Sequence, residues 1–277
     1  KFIHVKDDDP QRLANFNISV AYDDAFMQSV ETGEGPEYEF WMEMQQASWR
    51  TGDPGCYFIS EAERKNPTPW LGKVTGTNPC GEVPLLDDEA CNLASSNVSK
   101  YVKPDRSGFD YQRLGPDVKD AISYMDDLLD RNKFPDPGIA KATLLTRKLG
   151  LGVMGWADAL ALMRIDYESE EALSLGRELM RFINEKAHER SRELADIKGP
   201  YPGWELGAEW RAKHGIEDDH PLYGRRRNAT LTSVAPTGTI SILAGCSSGI
   251  EPHFADKWVR TTGQGHQMEE EIPVESQ

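Results

Sequence analysis

The chain has 277 residues, 38% of them hydrophobic, enough for one large domain or two small ones around a buried core. Its formal charge of −15 disfavours non-specific binding to nucleic acid or anionic membrane, although a salt-adapted host would also produce such a balance. No apolar run reaches the roughly 20 residues of a membrane helix, and the opening "KFIHVKDDDP" lacks the apolar centre of a signal peptide, so a cytoplasmic globular protein is expected.

Along the chain, a short β-rich run at the start gives way to a polar helical stretch and then to a strand-like "NFNISVAY". "TGEGPEY" punctuates, and "WMEMQQASWR" reads as a helix ended by the "TGDPG" turn, followed by a short apolar strand at 56–59. The Pro and Gly between Asn66 and Pro84 predict an ordered loop region. Val118, Ala121, Ile122, Met125 and Leu129 have helical spacing, and "FPDPG" stops that helix. A second helix follows "GLGVMG". A third, long and amphipathic, carries Leu179, Ile183, Ala187, Arg190 and Leu194 and ends at "GPYPGW". The β-prone run "NATLTSVA", 228–235, leads into "PTGTISILAGCSSGIEP". No internal repeat or low-complexity tract interrupts this order, which predicts an α/β layer or barrel architecture.

Four cysteines in a chain of this length do not make a disulfide scaffold; plain reduced thiols, some buried, are the default. Two of them stand in "TGTNPCGEVPLLDDEACNLASSN". In an extended segment Asn78, Cys80 and Glu82 would share one face, each about 6.6 Å from the next. Pro79 and Pro84 argue against a central strand and for a loop crossing a cavity. A nucleophilic thiolate would need a cation, a histidine or a helix N-terminus, whereas Cys80 has Glu82 beside it. Zinc fits poorly, since His4, His188, His214, His220, His253 and His266 offer no companion ligand pair. Two readings remain open: a thiol that gives up a hydrogen atom, with Glu82 taking a proton and Asn78 orienting by hydrogen bond, or a loop whose Asn and Glu satisfy backbone groups around a buried cysteine.

A second candidate is "SVAPTGTIS". A helix starting within 237–241 would aim its unpaired N–H groups and the Thr237, Thr239 and Ser241 hydroxyls at one spot, a cradle for phosphate; an ordinary capped helix is the competing reading. It is not a P-loop, because no lysine follows the glycine. "GLGVMG" is expected to serve close packing rather than dinucleotide binding, since its third glycine is misplaced. Arg225, Arg226 and Arg227 read as solvated surface, and Cys56, in an apolar run, as a buried small hydrophobe.

"TNPCGEVPLLDDEACNLASSN", with "TGDPG", "NPTPWLG", "GLGVMGWADAL" and "APTGTISILAGCSSGIEP", resembles ribonucleotide reductases, in particular the adenosylcobalamin-dependent class II enzymes; the likeness runs in fragments from Phe2 to Phe254. The resemblance implies a large portion of a ten-stranded α/β barrel over 1–260, with residues 78–82 on a finger loop inside it and a divergent polar tail at 261–277. It implies reduction of ribonucleotides to deoxyribonucleotides by a thiyl-radical route. Cys80 would become the radical that takes the ribose 3′ hydrogen, Glu82 would accept the 3′-hydroxyl proton, and Asn78 would hold the substrate hydroxyls. Cys91 would be one of two thiols supplying electrons. Ala235, Pro236, Thr237, Gly238, Thr239, Ile240 and Ser241 would bind the substrate phosphates. Implied partners are a ribonucleoside di- or triphosphate, adenosylcobalamin, an external dithiol such as thioredoxin, and possible further copies of the chain. The partner of Cys91, the allosteric site and the C-terminal cysteine pair of the family have no counterpart here, so the chain is expected to be a central piece that needs complementary segments. Val83 and Trp70 stand where more polar residues are expected. The same loop serves class I large subunits, which draw their radical from a separate metal-containing subunit, and a non-catalytic nucleotide-binding or assembly module would keep it as a relic.

Overall fold

The alternation in "SVAY" produces a strand, Ser19–Tyr22 (β1), in the computed structural model, which describes residues 4–9, 12–253, 255, 257–261 and 267–271. The chain forms two compact units, Lys1–Ala90 and Cys91–Gln277. In the first, β1 pairs in parallel with Gly55–Phe58 (β2), Val20 opposite Cys56 and Tyr22 opposite Phe58. The expected β-rich opening lies partly outside the described residues. Its described part, Val5–Asp8, is one helical turn (α1), in keeping with the poor strand propensity of its aspartates.

Two helices connect the strands. Asp24–Val30 (α2) is capped by the Asp23 carboxylate, which accepts from the Phe26 N–H. Pro36–Thr51 (α3) carries proline in its first turn and ends at Gly52, whose φ of 81° lies in the left-handed region that glycine enters without cost. The "TGDPG" turn thus stops α3 where the sequence places it. Tyr22, Phe26, Trp41 and Phe58 form an aromatic cluster with ring centroids 5.0–6.4 Å from Tyr22, and Met44 and Ala47 of α3 are buried. Cys56 is exposed, not buried as expected. Successive strand side chains face opposite ways, and Cys56 and Phe58 take the open face of β2. Ile59–Arg64 (α4), Gly76–Thr77 (β3) and Pro84–Leu85 (β4) complete this unit.

The second unit begins with Asn92–Asn97 (β5), parallel to Leu149–Met154 (β6) with Asn92 opposite Leu149. All six residues of β6 are buried. That is the pattern of a parallel strand covered on both faces, and it makes "GLGVM" a strand. Tyr111–Arg131 (α5) and Pro137–Thr146 (α6) cross between β5 and β6; α6 is short, and its apolar residues, interrupted by Lys141, Thr143 and Thr146, set up no clear period. Trp156–Met163 (α7) and Glu170–Lys198 (α8) follow. Val118, Ile122, Met125 and Leu129 of α5, and Leu179, Ile183, Ala187 and Leu194 of α8, are buried in one core with Leu149, Leu151 and Val153 of β6. Burying a side chain of this size contributes about 1.5–3 kcal/mol, so this shared stripe holds the unit together. Arg190 lies at its edge and donates to Ser123 Oγ of α5 at 2.8 Å.

Pro202–Leu206 (α9) and Ala208–His214 (α10) precede the "RRR" run, which is not solvated surface. Arg226 is 3% exposed and donates to the carbonyls of Pro221, Leu222, Asn228 and Ala229. Arg225 pairs with Asp196 at 2.6 Å. Arg227 lies 3.4 Å from Asp126, a fully buried carboxylate that also holds Arg147 at 2.7 Å and Lys198 at 3.1 Å and accepts from Asn228 Nδ2 at 2.9 Å. Buried carboxylates and carbonyls recruit the basic run.

The β-prone run at 228–235 lies along β6 as an irregular third strand. Leu149 N–H donates to Thr230, Leu151 N–H to Leu231, and Ser233 N–H back to Leu151, with one parallel bridge, Leu151 to Thr232. A Cβ on Gly152 would stand 2.2 Å from the Ser233 carbonyl oxygen, so glycine there permits the close approach. Gly238–Ala244 (α11) follows, and Lys257–Thr261 (β7) pairs antiparallel with Gln267–Glu271 (β8). The remainder of the 261–277 tail lies outside the described residues. Among the described residues regular strands occur only in pairs and no barrel closes, and no helix is long and apolar enough to cross a membrane. The architecture is mixed α/β.

Candidate active site

The cysteine loop is the tip of a hairpin, and in this it departs from the extended segment expected. Gly76 pairs with Leu85 and Thr77 with Pro84; Pro84 is tolerated because a two-residue edge pairing does not need its missing N–H. Gly81 N–H donates to the Asn78 carbonyl at 3.1 Å, closing a turn in which Gly81 takes a φ of 90°. The Asn78 side chain works inside the loop: Oδ1 accepts from Val83 N–H at 3.0 Å and Thr77 Oγ1 at 3.2 Å. With its oxygen so engaged, the amide nitrogen is the end left to donate. Val83, expected to be polar, is 4% exposed; its carbonyl accepts from Asn78 N–H at 3.3 Å while its own N–H donates to the Asn78 side chain, and its buried apolar side chain anchors the tip. Trp70 is half-buried.

Cys80 is exposed at this tip, with Asn17 Nδ2 3.9 Å from its sulfur. Glu82 is half-buried and its Oε2 is shielded from solvent. The hairpin therefore brings Asn78, Cys80 and Glu82 together on one turn rather than along one face. Farther down, Tyr57 Oη donates to the Gly76 carbonyl at 3.3 Å and Glu63 Oε2 accepts from Val74 N–H at 2.7 Å. These contacts tie the base of the hairpin to β2 and α4.

Cys91 enters β5 in the second unit. It is half-buried, its thiol 3.3 Å from the Asn92 carbonyl. A Cβ built on Gly150 of β6 would stand 2.6 Å from Leu93 Cδ2, 2.9 Å from Ser233 Cβ and 3.5 Å from Cys91 Sγ. Glycine at 150 thus keeps open the space where Cys91 and the strand leading into Ala235 converge. Of the six glycine-rich positions read as packing, this is the one that faces a candidate thiol.

The second candidate segment forms α11 but not the three-hydroxyl cradle expected. Thr237, 8% exposed, takes a left-handed φ of 58°, and its Oγ1 accepts from Gly249 N–H at 2.7 Å. Ser241, 1% exposed, bonds Ser248 Oγ at 2.8 Å and the Gly238 carbonyl at 3.2 Å. Both hydroxyls lash the helix to the "SSG" turn, because inward-facing hydroxyls must find partners. Gly238, Thr239 and Ile240 are exposed, as is Pro236, while Ala235 is buried. Among the described residues the N–H groups of Gly238, Thr239 and Ile240 meet no acceptor. Nearby, Asp158 accepts from Ser247 N–H at 2.7 Å and lies 2.9 Å from His253 Nε2. Burial, with the Asp158 charge added, pushes the Cys246 thiol up to about 11. The Thr237 and Ser241 tethers were not legible in the sequence; the small residues of "GCSSG" are their one trace.

A family model described as "Ribonucleotide reductase, barrel domain" matches residues 36–275. The chain belongs to the ribonucleotide reductase barrel-domain family. Both candidate segments of this reductase domain fall inside the match. It is 43% identical over 99% of its length to a vitamin B12-dependent ribonucleoside-diphosphate reductase of Thermoplasma acidophilum, covering 36% of that protein. It is 40% identical over 97% of its length to a protein of the same description from Mycobacterium tuberculosis, covering 39% of it. A vitamin B12-dependent ribonucleotide reductase of Rhodopirellula baltica is 30% identical over 87% of the chain and is covered to 27%. The reductase domain thus spans at most about two fifths of these relatives' length.

Proposed function

We propose that this chain carries out the radical chemistry of ribonucleotide reduction, replacing the 2′-hydroxyl of a ribonucleotide by hydrogen. The observation that carries the reading is the hairpin tip: an exposed thiol, an amide whose oxygen is held within the loop, and a carboxylate on one turn, within the family match. Cys80, as a thiyl radical, takes the hydrogen atom from the ribose 3′ carbon. Hydrogen-atom transfer needs no thiolate, which removes the objection that Glu82 stands close by. Glu82 accepts the 3′-hydroxyl proton as general base, and the Asn78 amide nitrogen donates to the substrate hydroxyls. Exchanging C–OH for C–H consumes two electrons and two protons and releases water; Cys91 is one of two thiols that supply them and close as a disulfide. Ala235, Pro236, Thr237, Gly238, Thr239, Ile240 and Ser241 hold the substrate phosphates, supported by the open N–H groups of Gly238, Thr239 and Ile240.

The names of the relatives point to vitamin B12, and this reading assigns adenosylcobalamin as cofactor. What it supplies when bound is a radical able to take the hydrogen atom of a thiol; the exposed Cys80 sulfur fits that exchange, whereas a thiol buried under the hairpin would not. An external dithiol of the thioredoxin kind restores the cysteines, in a cytoplasmic setting that keeps them reduced. The 78–82 turn serves as the finger loop of the barrel. The test is deoxyribonucleotide formation by the intact enzyme containing this chain, with adenosylcobalamin and a dithiol. Cys80→Ser abolishes product while nucleotide binding stays within about twofold, since the sulfur makes little binding contact; product from the variant overturns the assignment.

A further inference from the structure

The tip that presents Cys80 is gripped from outside by Asn17. Its Nδ2 donates to the Pro79 carbonyl at 2.9 Å and lies 3.9 Å from Cys80 Sγ, at the outer edge of N–H···S hydrogen bonding. One NH2 group carries two hydrogens, enough for both. The Pro79 carbonyl belongs to the peptide immediately before Cys80, so the same side chain fixes the backbone and faces the sulfur.

An exposed asparagine would ordinarily direct its amide at water. This one is set in direction by a single ion pair. Lys6 Nζ donates to the Phe16 carbonyl at 2.6 Å and to Asp53 Oδ2 at 2.5 Å, and Asp53 Oδ1 accepts from Ile18 N–H at 3.2 Å. The residues on both sides of Asn17 are therefore pinned by the same two side chains, which are 14% and 22% exposed. The Ile18 carbonyl accepts from Gly55 N–H at 2.8 Å, tying this point to the start of β2. Strand pairing begins only at Ser19 and, beyond the Ile18 carbonyl, reaches neither Phe16 nor Asn17. The pinning adds order beyond what β1 needs, at the residue that meets the tip.

We infer that Asn17 is a positioning residue for the Cys80 sulfur; the inference rests on the radical role proposed for Cys80. Transfer of a hydrogen atom between sulfur and carbon requires the two within roughly 3–3.5 Å, and a 1 Å displacement costs about a hundredfold in rate. The base of the hairpin is held by Tyr57 and Glu63, but the turn at 79–81 stands beyond that anchorage. Asn17 supplies the hold at the tip itself, and its N–H toward the sulfur lone pair leaves the S–H free to point elsewhere.

The test compares Asn17→Ala, Asn17→Asp, which keeps the shape without the donor, and Asn17→Gln, which keeps the donor on a longer stem. The first readout uses the intact enzyme containing this chain, without nucleotide: the rate of Cys80 alkylation by iodoacetamide at pH 8, resolved by peptide mass spectrometry, with Cys56 as reference in the same sample. Asn17 Nδ2 lies against the sulfur and holds the peptide before it, so losing it uncovers the thiol and frees the turn. Labelling of Cys80 relative to Cys56 is expected to be slowest in wild type and Gln, and about threefold faster in Ala and Asp. Equal rates in all four, or an Ala variant slower than wild type, overturn the inference. The second readout is turnover in the intact enzyme: kcat falls about 10- to 100-fold in Ala and Asp at unchanged KM, and Gln recovers most of it. Equal kcat in all four, or an Asp variant that outperforms Gln, overturns it too. If the labelling order holds while the wild-type enzyme forms no deoxyribonucleotide, the contact stands and only the functional proposal falls.

Discussion

Gly238→Val isolates ligand binding from folding unusually well. A Cβ at Gly238 meets nothing within 4 Å, and its φ is not in the left-handed region, so the protein itself accommodates the new side chain. In a helix valine is a few tenths of a kcal/mol better than glycine, whose propensity is about 1 kcal/mol below alanine; stability is expected to hold or rise slightly. A phosphate approaching the open N–H groups of Gly238, Thr239 and Ile240 would instead meet an isopropyl group. Hydrogen bonds to a charged group contribute about 1.5–3 kcal/mol each. Losing one of the three weakens binding roughly 10- to 150-fold at 1.4 kcal/mol per decade. The assay is calorimetric titration with a ribonucleoside diphosphate, run beside urea unfolding. A dissociation constant within twofold of wild type, at an unchanged urea midpoint, refutes the placement of phosphate here.

Glu82→Gln keeps size and hydrogen bonding but removes the base, so turnover is expected to fall by the roughly 10²–10⁴ typical of lost acid–base catalysis; a loss below tenfold in steady-state assays returns Glu82 to a loop-satisfying role. Asp126→Asn leaves Arg147, Lys198 and Arg227 around a neutral amide and is expected to cost about 3–5 kcal/mol in urea unfolding; a cost under 1 kcal/mol contradicts the network. Burial alone pushes the Asp126 carboxyl up, but Arg147, with Asn228 and Arg227, holds it below the usual carboxylate range. Its contribution is thus full above the unfolded value near 4 and lost as pH falls through the lower folded value, so the variant's stability should vary less with pH below about 4. Cys246, pushed up to about 11, is expected to alkylate at pH 8 roughly a hundredfold more slowly than a free cysteine; labelling at the free rate removes the buried setting described for it.

The periodic parts of the fold were legible because helices α5 and α8 bury one stripe each, and a 3.6-residue repeat records that directly. The "TGDPG" stop and the β-prone run before "PTG" were readable for the same reason, as local chemistry with a local outcome. What escaped the sequence depends on partners far along the chain. Cys56 sits in an apolar run, yet only the pairing of β1 with β2 decides which face is open. The arginine run resembles solvated surface until Asp126, a hundred residues away, is seen to need it. At the candidate site the family likeness of the two segments was legible and their geometry was not: Gly81 closes a turn where alternation suggested extension, and Thr237 and Ser241 spend their hydroxyls on a turn that follows the helix.

The carboxylate at 126 also bears on how this family can diverge. It is shared by side chains from the end of α6, the end of α8 and the segment before Asn228, so a neutral residue at 126 takes a buried partner from Arg147, Lys198 and Arg227 at once, while Arg147 keeps Asp130 and Lys198 keeps Asp127. Arg227, for which Asp126 is the charged partner at hand, is left the most exposed to that loss. In aligned relatives a neutral residue at 126 should therefore travel with the loss of the positive charge at 227, whereas exchanges between Lys and Arg at 147, 198 and 227 are free to occur alone.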